Sequence, residues 1–113
     1  MDLIDVTHEG AVAVVAPGMR RLDAAAAPAF KQAVVQLIEG GAYQLVLDLQ
    51  AVEFLDSSGL GAMVSILKAI GGRGSVVVCN ARGGVMSLFK LTRMDKVFAI
   101  LGSRQEALAR LGG

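Results

Sequence analysis

Apolar residues along this chain recur at two periods, and the switches between those periods divide it into elements. Residues 2–7 and 11–16 are short β-like runs, and His8-Glu9-Gly10 between them reads as a hairpin turn in which Gly10 takes a positive φ. Pro17-Gly18 breaks the second run. An alanine-rich segment then carries Phe30, Val34, Leu37 and Ile38 at helical spacing, with Asp23 as its N-cap and Gly40-Gly41 at its end. Pro28 is tolerated only in an opening turn, which moves the regular helix start to Ala26 or Ala27. Residues 43–49 (YQLVLDL) follow as a strand that is apolar on both faces, and hence central in its sheet. The polar exception is Asp48, near the carboxyl end, where a carboxylate anchors the next loop by accepting backbone hydrogen bonds.

The alternation continues in the second half. Leu60, Met63, Val64, Leu67 and Ile70 form the apolar stripe of a helix over residues 60–70, closed by Gly71-Gly72. Residues 75–79 are a buried strand, 80–84 a loop, and 85–91 a helix with Val85, Leu88 and Phe89 facing inward. Residues 96–100 read as a last short strand. Ser103 and Glu106 make a capping box for a helix over 104–111. The predicted order is ββαβαβαβα: an α/β fold in a single domain over 1–113, with a mixed central sheet, antiparallel N-terminal strands and about four helices. Sites in such sheets favour the carboxyl ends of the strands. Asp23 and the turn at 56–58 both follow strands and precede helices, so the pattern predicts that they share one rim.

Composition narrows the chemistry. The apolar fraction, 54% over 113 residues, exceeds the usual level of about 45–50% and supplies a real core. Eleven basic and ten acidic residues give a net charge of +1 with no block of like charges, which argues against direct nucleic-acid binding. The longest apolar runs fall well short of the ~20 residues of a membrane span. The acidic start, Met1-Asp2-Leu3-Ile4-Asp5, lacks the basic region of a secretory signal, so the expected compartment is the cytoplasm. A single Cys79, ending an apolar strand, is expected to pack in the core of a protein kept in a reducing environment. His8 is the only histidine; no metal site can be assembled around it, and no cofactor is expected.

Candidate chemistry converges on Phe54-Leu55-Asp56-Ser57-Ser58-Gly59-Leu60-Gly61, where a strand stops and a helix starts. As a nucleophile elbow, G-x-S-x-G, the window around Ser57 lacks its first glycine, and a serine triad would have to borrow His8 from the hairpin. As a phosphate-binding loop, Gly59 and Gly61 lack the following Lys and Ser/Thr. A phosphoacceptor demands less: an exposed hydroxyl held on rigid backbone, with a partner kinase bringing nucleotide, metal and base. The helix N-terminus favours the added charge by ~0.3–1 kcal/mol, and the Asp56 carboxylate opposes it. Any switch would then act on binding and not on fold stability.

Asp56-Ser57-Ser58-Gly59-Leu60-Gly61, preceded by Leu45-Val46-Leu47-Asp48-Leu49 and Val52-Glu53-Phe54-Leu55, resembles the signature of the bacterial anti-sigma factor antagonists, which are built on the STAS domain. The resemblance takes in Leu22-Asp23, Leu88-Phe89-Lys90-Leu91-Thr92 and Val97-Phe98, and so nearly the whole chain. It implies a non-enzymatic partner switch in the control of transcription, as in a stress response. In that switch an anti-sigma factor serine kinase phosphorylates Ser57, with Ser58 as the alternative, and a serine phosphatase reverses it. The unphosphorylated form would bind the kinase and release sigma factor, with Asp23, Asp56, Ser57, Ser58 and Gly59 in the docking rim, Gly59 for close approach by the partner. The free protein would be a monomer. Where the family often has a glycine and a small or acidic residue before Leu-Asp, this chain has Met19-Arg20-Arg21, a basic pair able to alter partner choice. Related STAS domains serve as stressosome scaffolds, in anion transporters and in lipid-transport complexes. Two intact hydroxyls on a short chain argue against the transporter tail, and less firmly against a scaffold or regulatory subunit.

Overall fold

The computed structural model describes residues 3–112. Strands β1 (Ile4–Glu9) and β2 (Val12–Pro17) pair antiparallel, from Ile4 opposite Pro17 to Glu9 opposite Val12. The hairpin connection is therefore Gly10-Ala11 alone, with Gly10 at φ 61°. His8, expected in the turn, is an exposed strand residue opposite Ala13. The ladder runs on through polar residues because β1 is an edge strand, where outward polar side chains cost nothing and discourage further pairing. Asp2, placed in this strand by the sequence pattern, lies outside the described residues.

The chain continues as β3 (Arg21–Leu22), α1 (Ala27–Glu39), β4 (Gln44–Asp48), β5 (Phe54–Leu55), α2 (Ser57–Ile70), β6 (Ser75–Cys79), α3 (Gly83–Leu91), β7 (Ala99–Leu101) and α4 (Arg104–Arg110). The main sheet has the order β1-β2-β4-β6-β7, and every pair after the first is parallel. Each parallel crossover steps the same way across this sheet, so the right-handed rule places α1, α2 and α3 on one face. There Phe30 of α1, Met63 and Ile66 of α2 and Phe89 of α3 meet Val15, Leu47 and Val78, each fully buried side chain contributing about 1.5–3 kcal/mol. The opposite face, with Val14, Val46, Val77 and Cys79, is covered by α4 through Ala107.

Several element starts differ from the pattern-based expectation for one reason: polar and glycine residues that look like loops are first turns of helices. Helix α2 begins at Ser57 and not at Leu60, and α3 at Gly83 and not at Val85. Ala62 and Ile66 are accordingly fully packed in α2, while Val64 and Leu67 are half-buried, as is Leu88 in α3. Near the end, a 3-10 turn at Met94–Lys96 displaces the last strand to Ala99–Leu101. Phe98 is drawn off the strand into an edge-to-face contact with Phe89, ring centroids 6.0 Å apart.

Strands β3 and β5 form a separate two-stranded parallel sheet, with Arg21 beside Phe54 and Leu22 beside Leu55. Neither was expected, because two residues are too few to show a period. The start of α2 lies against this pair so closely that a Cβ on Gly59 would collide with the Leu22 carbonyl oxygen and stand 2.6 Å from Leu55 Cδ1.

A second anchor sits at the carboxyl end of β4. Asp48 is 3% exposed and faces α4, where Arg104 donates to its Oδ2 from Nε at 3.0 Å and from Nη2 at 2.9 Å. Its Oδ1 accepts from the Gln50 amide at 3.1 Å and from Asn80 Nδ2 at 2.9 Å. Burial pushes the Asp48 carboxyl up, but the hydrogen bonds from Asn80, Arg104 and Gln50 outweigh it and hold the group below its ordinary value. The expected anchoring of the loop by Asp48 is present, with two partners the sequence did not name. A seven-residue helix such as α4 is too short to persist by itself, so this ion pair and its apolar contacts hold it.

Two measurements test these anchors. Gly59→Ala is expected to destabilise by about 2 kcal/mol through overpacking. Gly61→Ala, exposed and with open space around it, should stabilise by up to about 1 kcal/mol on helix propensity. Urea midpoints that move together would show that the Leu22 carbonyl is no obstacle. Arg104→Leu should cost about 2–3 kcal/mol, below the 3–5 of a fully enclosed pair because the Arg104 side chain is 42% exposed. Because the folded Asp48 binds its proton more weakly than the unfolded one, its contribution is complete above the ordinary aspartate pKa and is lost as pH falls through the lower folded value. Asp48→Asn should therefore flatten the decline of unfolding free energy between about pH 5 and pH 2; an unchanged slope would remove Asp48 from the acid response.

Candidate functional site

The two short strands deliver the chain twice to the same place. After Leu22 and after Leu55, neighbours in β3 and β5, comes an aspartate each time, and the paired register sets Asp23 and Asp56 side by side. Each carboxylate turns back on the backbone that follows. Asp23 Oδ1 accepts from the amides of Ala25 at 3.1 Å and Ala26 at 3.2 Å, and Asp56 Oδ1 accepts from the Gly59 amide at 3.0 Å. Asp56 is thus the side-chain N-cap of α2. Asp23 caps the turn leading into α1, whose formal N-cap is Ala26 with no side-chain bond; Pro28 sits in the opening turn as expected. The shared rim predicted for Asp23 and residues 56–58 is present, built by pairing that the sequence pattern did not reveal.

Ser57 and Ser58 are the first two residues of α2, and both are exposed. At 100° per residue they look in different directions. Ser58 shares a helix face with Ala62 and Ser65, and with them borders a groove of about 280 Å³ closed on the other side by Ala24, Ala27, Pro28 and Lys31. Ser57 is on the face of exposed Gly61, turned away from that groove. Gly59 is buried, and its missing side chain makes room for this chain's own Leu22 carbonyl. The close approach that Gly59 makes within this chain is to Leu22, and the residue shapes the rim from beneath.

The basic pair noted in the sequence borders the same rim. Arg21 stacks on the Phe54 ring, 4.1 Å from guanidinium carbon to centroid, and its Nε lies 3.6 Å from Asp23 Oδ2. Arg20 Nε is 3.5 Å from Glu53 Oε2 on the outer side, with both side chains well exposed. Phe54 is one of the few large apolar side chains left exposed, and the guanidinium covers part of it. Sequence reasoning flagged the arginines but not their aromatic partner, because only the β3–β5 pairing brings residue 54 beside residue 21.

Elsewhere the described residues offer little for catalysis. Cys79 is buried, and its thiol is pushed up to about 12 by burial first and by the nearby Asp48 charge second, so it stays protonated and inert. His8 is on the edge strand β1, whereas the serines open α2. Among the described residues, no group of three or more His, Cys, Asp or Glu is placed to hold a metal ion, and no helix is long and apolar enough to cross a membrane.

Known proteins share this arrangement. The STAS domain family matches residues 4–107. The anti-sigma-F factor antagonist RsfB of Mycobacterium tuberculosis is 34% identical over 116 aligned residues, covering 99% of this chain and 93% of that protein. Among solved structures, an anti-sigma factor antagonist from Mycobacterium paratuberculosis superposes with a TM-score of 0.88 at 31% identity, covering 97% of this chain and 93% of the other. A STAS domain protein from Planctomyces limnophilus superposes with a TM-score of 0.87 at 25% identity, covering 97% and 98%. With a family match spanning almost all of the described residues and the same fold in these relatives, the chain belongs to the STAS domain family.

Proposed function

We propose that this protein is an anti-sigma factor antagonist that works as a phosphorylation switch, with Ser57 as the acceptor and Ser58 as the alternative. The observation that carries the reading is the placement of Ser57: an exposed hydroxyl on the first residue of α2, on backbone fixed by the Asp56 cap and by the Gly59–Leu22 contact. The relatives named as anti-sigma factor antagonists support the same function. In this reading the protein supplies the acceptor and acts as a binding partner, as the relatives named as antagonists do; an anti-sigma factor serine kinase would bring nucleotide and metal, and a serine phosphatase would restore the hydroxyl. Asp23, Asp56 and Ser58 line the docking rim around Ser57, with Gly59 supporting it from beneath.

The physical effect of phosphate at this position is divided. Free amides at the start of α2 favour the added charge by about 0.3–1 kcal/mol, while Asp56, and Asp23 beside it, repel it. The fold therefore gains little from modification. A kinase face that accommodates the neutral serine must instead bury a dianion next to two carboxylates, and the complex is lost. In this reading the unphosphorylated protein holds the kinase in the cytoplasm, sigma factor is released, and the free antagonist is a monomer.

The test is mass spectrometry of the protein after incubation with its cognate kinase and ATP, together with binding of Ser57 variants. Phosphate should appear on Ser57, Ser57→Ala should retain kinase affinity, and Ser57→Asp should lose at least about tenfold, or 1.4 kcal/mol. Phosphate on neither serine, or undiminished affinity of Ser57→Asp, refutes the switch. A large stable assembly in light scattering, its composition altered by phosphorylation, would point instead to a scaffold role.

A further inference from the structure

The connection that delivers the acceptor, residues 49–53 between β4 and β5, is unevenly supported. Leu49 and Val52 are buried in the core. Glu53 and Phe54 are held by their amides to the Arg20 carbonyl, at 2.8 and 3.1 Å. Between these packed points Gln50 and Ala51 are exposed, and they overhang an open cleft of about 430 Å³ bordered by Ala16, Asp48, Arg82 and Arg104. They are the two central residues of a turn closed by the Val52 amide on the Leu49 carbonyl at 3.0 Å, and two further hydrogen bonds reach Gln50 from outside it. The Gln50 amide donates to Asp48 Oδ1 at 3.1 Å, and Arg82 Nη2 donates to the Gln50 carbonyl at 2.8 Å.

The Arg82 guanidinium has no other described hydrogen bond or ion pair. The residue occupies the N-cap position of α3 without a side-chain capping bond, and it is exposed. Helix α3 packs against β5, so a brace from its N-cap residue to Gln50 ties the approach of the acceptor strand to the helix beside it. Asp48, held by Asn80 and Arg104, provides the opposing hold from below.

We infer that Arg82 is a positioning residue for phosphoryl transfer: by bracing Gln50 it fixes the loop that presents β5 and Ser57 to the kinase. The inference rests on the acceptor role proposed for Ser57. It assigns Arg82 an action through the loop and no contact with the phosphate.

Two readouts on the full chain test it, hydrogen exchange of the isolated protein and steady-state phosphorylation, for Arg82→Ala and Arg82→Lys beside the wild type. One hydrogen bond of this kind shifts a local open–closed equilibrium by about two- to tenfold. Arg82→Ala should therefore raise exchange at the Gln50 and Val52 amides by about that factor, with the thermal midpoint unchanged. The value of kcat for phosphorylation should fall, by at most that factor, with KM nearly constant, since the kinase grips a protein whose acceptor is less often in place. Arg82→Lys, which keeps one donor, should recover both. A raised KM with unchanged amide exchange would make Arg82 a direct kinase contact and overturn the brace. Faster exchange with unchanged phosphorylation would overturn it as well. A wild-type chain that takes no phosphate refutes the acceptor role itself, a result distinct from any difference between the variants.

Discussion

The carbonyl oxygen of Leu22 stands at the point where the candidate site is assembled. It accepts the Asp56 amide at 3.4 Å, closing the β3–β5 ladder just before α2, and it occupies the space that a side chain at residue 59 would need. A strand end, a helix start and a loop from a distant part of the sequence therefore meet within one residue's width. Any side chain at residue 59 would lever α2 away from β3, and Asp56 would lose the register that lets it cap the helix. The glycine in this motif is thus a requirement of steric contact within the chain. Its backbone is ordinary helix, unlike Gly10, where a positive φ is what the turn needs.

The same pairing makes two aspartates leave one end of β3 and β5, and neither carboxylate is left without a partner. Each is partly neutralised locally: one oxygen of Asp23 and one of Asp56 is engaged by backbone amides at a turn or helix start, and Arg21 approaches the second oxygen of Asp23. Amides and guanidinium together let acidic residues stand next to an exposed hydroxyl without a buried counter-ion. Negative charge added at Ser57 would meet these carboxylates as well as the free amides of the helix start. That is a property of placement, since an isolated serine at a helix start would welcome a phosphate.

How far the sequence revealed this follows from the length of each signal. Apolar periodicity over five residues or more located β2, β4, β6 and the bodies of α1 and α2, and the capping chemistry of Ser103 and Glu106 marked the start of α4, where the Ser103 hydroxyl does accept the Glu106 amide. Asp56, Ser57 and Ser58 were recognisable as a helix start because an acid and two hydroxyls followed by glycine suit no strand. The two-residue strands were invisible by period, and with them went the reasons that Asp23 neighbours Asp56 and that Phe54 lies under Arg21. Long-range polar partners were equally hidden. Asp48 advertised a need for compensation by standing in an apolar strand, but no local rule selects Arg104, 56 residues on, from eleven basic residues. Gly59 was noticeable by type, but its contact with the Leu22 carbonyl was hidden, because sequence does not say which part of the chain comes close.

The sheet explains why the rim can be exposed and still rigid. Three helices share one face because every crossover steps the same way, so the packing that fixes α2 runs from Gly59 and Leu60 in its first turn through Met63, Ile66 and Ile70, and leaves the two serines exposed. The other face depends on α4 and on the Asp48–Arg104 pair, whose remaining hydrogen bonds extend through Gln50 toward β5. The packed side chains of the core and the exposed serines at the start of α2 are thus separate sets, joined through backbone at Leu22, Gln50 and Gly59. A hydroxyl at residue 57 is free to change its chemistry without disturbing the core. Its direction is governed by groups it never touches.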